Sequence, residues 1–330
     1  MTQALLSPAE ATQLILRGRP LLLAGDERLL SRLPAGKWIG GTIPYFMTAS
    51  GGAFSQEGVF VTELPADIVD AAVKVYDQAS LPGVYRDIPE NGLSFVILPA
   101  TSPVHLEFAL HAPEYADFAM RPLAGWVSGV SLADLGKVAP KVIDGSTGTI
   151  YENAGVVLHV QLPLHQTAEI GIINLFKQSP GDALQFTQAG FSASDVLVNG
   201  ELRNFAAYVK DHNLDLQRPL VADYAGAQIN VSFQGIDEAN GCVNLYAPVF
   251  PGVTYRQAAP VGDYVTDFNR EIASTGSGAV TFSCNCILNY LFSQLEGKQT
   301  GHFTGPITFG EVAYQLLNQT MVYVTISSHN

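Results

Sequence analysis

The spacing of apolar positions changes period several times along the chain. After Ser7-Pro8-Ala9-Glu10, a serine cap with proline in the first turn and glutamate three residues on, the apolar positions Ala11, Leu14 and Ile15 recur at helical spacing until Gly18. Residues 20–24 read as a buried strand, 26–33 as a short helix, and 38–47 as a strand whose interior glycines, Gly40 and Gly41, imply a close backbone approach or a bulge. Gly51-Gly52 and Gln56-Glu57-Gly58 break the next stretch into hairpin pieces, with 58–63 returning as a strand. Pro65 opens a predicted helix over 65–80, with Ile68, Ala72, Val75 and Tyr76 on one side; 93–98 is a strand and Ser102-Pro103 starts a helix to about residue 120.

From Leu123 onward strand patterns dominate, punctuated by turn signals at Asp144-Gly145-Ser146-Thr147-Gly148 and Asn199-Gly200. A helix is expected over 201–213, a linker over 214–219, strands over 221–255 and a helix over 263–272. Helices over mostly antiparallel strands in both parts predict an α+β protein of two β-rich halves, 1–200 and 201–330, with layered sheet packing.

Composition narrows the function classes. The chain has 330 residues, enough for two ordinary domains or one large one. Charged residues make up only 14%, so the surface must be carried by uncharged polar groups or partly covered by a partner, which leaves room for a homo-oligomer. The net charge of −13, with no clustered Lys/Arg stripe, argues against nucleic acid and anionic membranes as partners. No apolar run approaches the roughly 20 residues of a membrane span, the first residues lack a secretory pattern, and three cysteines make no disulfide framework. These features predict a cytoplasmic protein without membrane insertion and with reduced thiols.

Candidate chemistry gathers in 279–326, read as strand, turn, helix, loop and strand. Cys284-Asn285-Cys286 ends a β-rich run and turns into a helix, whose free N–H groups favour anions and would lower the thiol pKa values. Glu311, flanked by Phe309-Gly310 and Val312-Ala313, is expected to be part-buried with a raised pKa or a partner. Asn318 and Thr320 offer hydrogen bonds at the turn into the last strand. His159 alternates with apolar neighbours on a strand, and His302 is the one histidine near the cluster in sequence.

Phe282-Ser283-Cys284, Gly310-Glu311 and Asn318-Gln319-Thr320 together resemble the C-terminal half of the FIST sensory family; Lys37 to Thr42, Pro122-Leu123-Ala124-Gly125 and Asn199-Gly200-Glu201 resemble its earlier motifs. The chain departs from the family at Asn285 to Tyr290, which holds no basic residue where the family has an arginine. The resemblance implies a FIST N-terminal-like domain (1–200), a C-terminal-like domain (201–330), and a cytoplasmic sensory module for a small polar metabolite, an amino acid or small carboxylate, that signals through a separate protein. It places Gly40, Gly41, Thr42, Tyr45, Cys284, Asn285, Glu311, Asn318 and Thr320 around the ligand. Two alternatives stand beside it: a cysteine-dependent hydrolase or transferase with Cys284, His302 and Glu311 as nucleophile, base and orienter, and a non-catalytic structural or interaction protein.

Other enzyme signatures fail. Gly125 to Gly129 lacks the spacing of a nucleophile elbow, Gly276-Ser277-Gly278 precedes a strand, and neither Gly36-Lys37 nor Gly136-Lys137 completes a phosphate loop. The Cys-x-Cys pair lacks the partners of a zinc site, so no metal is expected. Some FIST relatives bind haem, but here only Lys298 and Arg270 are at hand for propionates, so haem is disfavoured and no cofactor is expected.

Overall fold

The computed structural model describes residues 2–224, 227–274 and 279–329; Gly276-Ser277-Gly278 lies outside them. The chain folds as an α+β protein of mostly antiparallel sheets with few helices. The first strands and helices are β1 (Gln3–Leu6), α1 (Pro8–Leu16), β2 (Leu21–Gly25), α2 (Glu27–Leu30), β3 (Trp38–Thr42), the hairpin β4 (Tyr45–Thr48) and β5 (Gly51–Phe54), and β6 (Val59–Glu63). The pattern then recurs: β7 (Asp70–Tyr76), β8 (Gly92–Pro99), α3 (Pro103–His111), β9 (Leu123–Ser128), the hairpin β10 (Val142–Asp144) and β11 (Thr149–Tyr151), and β12 (Gly155–Gln161). A third unit opens with β13 (Gln166–Ile173).

An insertion interrupts the third unit: β14 (Leu184–Gln185), β15 (Gly190–Ala193), β16 (Asp195–Val198), β17 (Glu201–Asn204), α4 (Phe205–Asp211), β18 (Leu220–Tyr224), β19 (Ala227–Val231), β20 (Phe233–Asp237), β21 (Cys242–Val249) and β22 (Thr254–Gln257). The unit resumes with α5 (Tyr264–Ser274), β23 (Val280–Cys286), α6 (Ile287–Phe292), β24 (Gly305–Thr308), the hairpin β25 (Glu311–Ala313) and β26 (Gln315–Leu317), and β27 (Met321–Ser328).

The three units build three sheets of one design, with strand orders β1-β6-β2-β3-β10-β11, β7-β12-β8-β9-β25-β26 and β13-β27-β23-β24-β4-β5. In each, the second and third strands of the unit pair in parallel across a short helical crossover: β2 with β3, β8 with β9, β23 with β24. Each unit then sends its hairpin to the next sheet in a cycle, β4-β5 to the third, β10-β11 to the first and β25-β26 to the second. The arrangement is a pseudo-threefold ring. Strand pairings cross the expected division at residue 200 at β9–β25, β24–β4 and β13–β27.

Side-chain alternation explains the packing, since inward residues from all three sheets meet around the ring. Phe46 and Phe60, Phe95 and Trp126, and Phe282 and Val322 all join one core, with Trp126 stacked on Phe282 at 5.5 Å between ring centroids. Outward residues are covered by helices: Ala11, Leu14 and Ile15 of α1 pack with Leu21 and Trp38, and Val104 and Phe108 of α3 with Tyr76 and Val96. The insertion has its own core, which reaches Ala100, Val127 and Leu316.

The capping box at Ser7 and Glu10 forms as the sequence predicts. The helix expected over 65–80 does not: Asp70–Tyr76 is an edge strand in which Ala71 and Tyr76 are buried between exposed positions, and the period-two pattern of Ala71, Val73 and Val75 outweighs the helical coincidence. The helix after Ser102 ends at His111, where Pro113 removes a donor and only a 3-10 turn follows. Residues 38–47 break at Ile43-Pro44, where the chain passes from the first sheet to the third. Of the helix expected over 201–213, the first four residues are β17, paired with β16 across Asn199-Gly200, and the helix starts after the Asn204 cap. Residues 214–219 connect α4 to β18 inside the insertion, with Leu214 and Leu216 packed on its core.

On the outer face of the second sheet, His159 is held in a directed hydrogen-bond chain. The Asp87 carboxylate can only accept, so Tyr76 donates its hydroxyl proton to it at 2.7 Å. The Tyr76 oxygen therefore accepts from His159 Nε2–H at 2.8 Å, and Nδ1 accepts from the Ser94 hydroxyl at 2.6 Å. Burial pushes the His159 pKa down to about 4.

Candidate functional site

The third unit carries a buried polar cluster at its parallel strand ends, the region where crossover sheets leave polar termini free for ligands. Strand β23 sends Phe282, Cys284 and Cys286 into the common core, while Asn285 turns its Oδ1 to the backbone N–H of Cys286 at 2.8 Å and to Asn289 Nδ2 at 3.0 Å. Cys286 is the N-cap of α6, but its side chain makes no capping hydrogen bond. Its N–H is shared between Asn285 Oδ1 and Thr320 O, the latter at 3.1 Å.

Glu311 opens β25 and is 0% exposed. Its Oε2 accepts from Thr320 Oγ1 at 2.8 Å and from Thr320 N at 3.3 Å, while Oε1 has no hydrogen-bond partner among the described residues. Burial pushes its carboxyl up to about 8, against the opposing pull of the Thr320 hydrogen bonds. At neutral pH the group is therefore mostly protonated. Its burial is complete where the sequence predicts a part-buried carboxylate.

The thiols run opposite to expectation. Burial, with Glu311 as the next contributor, raises Cys284 and Cys286 well above the usual thiol range. Cys284 Sγ–H points to Gly125 O at 3.4 Å, deep in the core, and the partial charge of a six-residue helix does not offset the desolvation. His302 is exposed and stacks on Phe303 at 4.5 Å between centroids. Among the described residues it makes no hydrogen bond to Cys284 or Glu311, so the trio expected for a cysteine enzyme is not assembled.

Around Glu311 lie further unpartnered atoms: Asn285 Nδ2, Asn289 Oδ1 and Asn318 Nδ2. Buried polar groups are normally paired, so four such atoms close together set this cluster apart from the apolar core, although the Tyr264 hydroxyl lies beside the Asn285 amide and the Cys286 thiol and Thr308 hydroxyl lie beside the Glu311 carboxyl. Asn289 also donates to Thr320 O at 3.4 Å, and Asn318 Oδ1 accepts from Ser232 N at 3.0 Å, tying the cluster to the insertion. A cleft of about 520 Å³ opens on its outer layer, lined by Asn289 and Gln319 from the cluster, Tyr264 from α5, and Gln217 and Arg218 from the insertion. That volume falls in the range of small-molecule sites.

The other predicted ligand residues lie elsewhere. A Cβ on Gly41 would come within 2.7 Å of Ile97 Cγ2 and 3.0 Å of Trp126 Nε1, so this glycine lets β3 approach the tryptophan that faces Glu311. Gly40 packs on Trp38. Thr42 Oγ1 accepts from Lys141 N at 2.9 Å and lines a separate cleft of about 330 Å³ with Asp26, Gln56 and Asp134. Tyr45 accepts from Leu132 N at 3.1 Å and tilts against Tyr290. The expected single pocket is thus divided: Cys284, Asn285, Glu311, Asn318 and Thr320 come together, and Thr42 and Tyr45 do not join them.

Sequence reading missed Asn289, Tyr264, Arg218 and Gln319. A signal existed for Asn289, the lone amide in the apolar run I-L-N-Y-L-F and four residues after Asn285. None existed for Arg218, which reaches the site only through the insertion. Among the described residues, no group of three His, Cys, Asp or Glu side chains is placed to hold a metal ion, and no helix is long and apolar enough to cross a membrane.

Residues 6–327 match a family described as "Family of unknown function (DUF6976)". No curated protein matches the chain.

Proposed function

Because the chain belongs to this family of unknown function, whose description states no activity, we propose its role from the site: a FIST-like sensory protein of the cytoplasm that takes a small polar metabolite into the cleft over the Glu311 cluster and signals through a separate partner protein. The observation that carries this reading is the set of four unpartnered buried polar atoms, on Glu311, Asn285, Asn289 and Asn318, of which Asn289 also lines an open cleft. Unsatisfied buried groups cost about 1–3 kcal/mol each, and a ligand that orders the Asn289 layer recovers part of that. Binding without chemistry accords with the two buried, high-pKa thiols, which are poor nucleophiles. Haem does not suit this cleft, since Arg218, the cation in its lining, is paired with Asp215 at 3.2 Å and Lys298 donates to Ser293 O.

A thermal-shift screen of amino acids, amines and small carboxylic acids tests the reading. A compound at a hundred times its Kd stabilises by about 2.7 kcal/mol, a shift of roughly 5 °C in a chain of this size. The expected result is a shift that disappears in Asn289→Leu. If no compound moves the transition, the binding reading falls and the structural or interaction alternative takes its place.

A further inference from the structure

We infer that the occupant of this cleft carries a primary ammonium group, an inference that rests on the binding reading above and names its ligand class. The first observation is the amide of Asn289, 1% exposed and part of the cleft lining. Its Nδ2 donates to Asn285 Oδ1 at 3.0 Å and to Thr320 O at 3.4 Å, which fixes the amide's orientation. The atom left over is Oδ1, an acceptor with no donor among the described residues. The missing partner is therefore an N–H or O–H group, and a carboxylate offers neither.

The walls supply the second observation. Three aromatic rings line the cleft: Phe176 and Tyr264, both buried, and Phe292 at the rim, 36% exposed. Ring faces attract cations and give nothing to anions.

Charge supplies the third. The lining holds the carboxylates of Asp215 and Asp263 and one guanidinium, Arg218. Arg218 is already committed, Nε to Asp215 Oδ2 and Nη1 to Ala258 O at 3.3 Å. The pairing neutralises one carboxylate; the other, Asp263, accepts from Thr266 N at 2.8 Å and feels the charge of Lys298 beyond the lining, so the lining itself keeps one carboxylate more than it has cations, within a protein of net charge −13. An ammonium supplies the donor that the Asn289 amide lacks and meets aromatic side chains and a carboxylate, whereas a carboxylate ion supplies no donor and meets repulsion from Asp263.

Calorimetric titration of the full chain with three ions of similar size tests this: propylammonium, tetramethylammonium and propionate. Propylammonium is expected to bind. Tetramethylammonium, with the same charge but no N–H, is expected to bind roughly tenfold more weakly, and propionate not at all. Phe292→Ala and Asn289→Leu should each weaken propylammonium severalfold; Phe292 sits at the rim, so its variant keeps the test open if the Asn289 variant does not fold. Propionate binding in place of propylammonium overturns the ammonium assignment while the cleft stands as a ligand site. Equal binding of the two cations, or propylammonium binding unchanged in Phe292→Ala, assigns the effect to the acidic surface and also overturns it. If none of the three ions binds, the ammonium assignment falls, and the wider compound screen decides the binding reading separately.

Discussion

Glu311 and Trp126 stand directly opposite each other across the pair formed by β25 and β9, both buried, and each carries a polar atom, Oε1 on one and Nε1 on the other, with no partner among the described residues. Directly opposed residues share a face of the sheet, and Trp126 faces the common core, so the carboxyl faces it too. The pair exists only because the third unit lends its hairpin to the second sheet. The ring connectivity that closes the fold is also what buries the carboxyl.

Stability should record this carboxyl as pH rises. A carboxyl with its folded pKa near 8 and an ordinary value near 4.5 when unfolded binds its proton more tightly in the folded state. Its contribution is full below about pH 4.5 and is lost as pH rises through about 8, at a slope approaching 1.4 kcal/mol per pH unit within that window. Glu311→Gln mimics the protonated form. Urea unfolding at pH 5, 7 and 9 should show the wild type losing a few kcal/mol that the variant keeps; parallel slopes for the two proteins would refute the assignment.

Much of this site was legible in the sequence, and the rest was hidden for identifiable reasons. Cys284, Glu311, Asn318 and Thr320 lie within one stretch of chain, and local signals mark them: a polar residue in an apolar frame, an amide and a hydroxyl at a turn. The family resemblance groups Thr42 and Tyr45 with them, but at Ile43-Pro44 the chain passes to another sheet, a topological step that no local period encodes. Arg218 and Tyr264 come to the cleft through the insertion and α5, and hydrophobic spacing gives no sign of which distant loops will meet. Helix position is visible in sequence whereas depth of burial is not, so the sequence predicts lowered thiol pKa values where burial raises them.

His159 makes a prediction of the opposite sign. Its folded pKa, near 4, lies below the ordinary 6.5, so the stability of the neutral ring is present above about pH 6.5 and is lost as pH falls through 4, by up to about 3 kcal/mol. The directed chain through Tyr76 and Asp87 also fixes the tautomer. Long-range proton–nitrogen spectra at pH 6 should show the His159 proton on Nε2 and Nδ1 unprotonated. A doubly protonated ring at that pH, or a proton on Nδ1, contradicts the chain as drawn.

Cutting the chain at residue 200 should separate pieces that do not fold alone. Residues 1–200 hold all six strands of the first sheet, but they lack β25 and β26 of the second sheet and β23, β24 and β27 of the third. They also expose Trp126, whose stacking partner Phe282 lies in the other piece. The cut falls in the turn between β16 and β17, so it opens a hairpin of the insertion as well. Losing the contacts of even one such aromatic costs about 3–5 kcal/mol, a large share of the 5–15 kcal/mol that holds a typical domain together. Expressed separately, 1–200 and 201–330 should show no cooperative thermal transition and no near-ultraviolet circular dichroism; co-expressed, they should purify as an equimolar complex that regains both. A cooperative transition in 1–200 alone would mean that the first two units form a core without the third, and the ring would then be an assembly of independent parts.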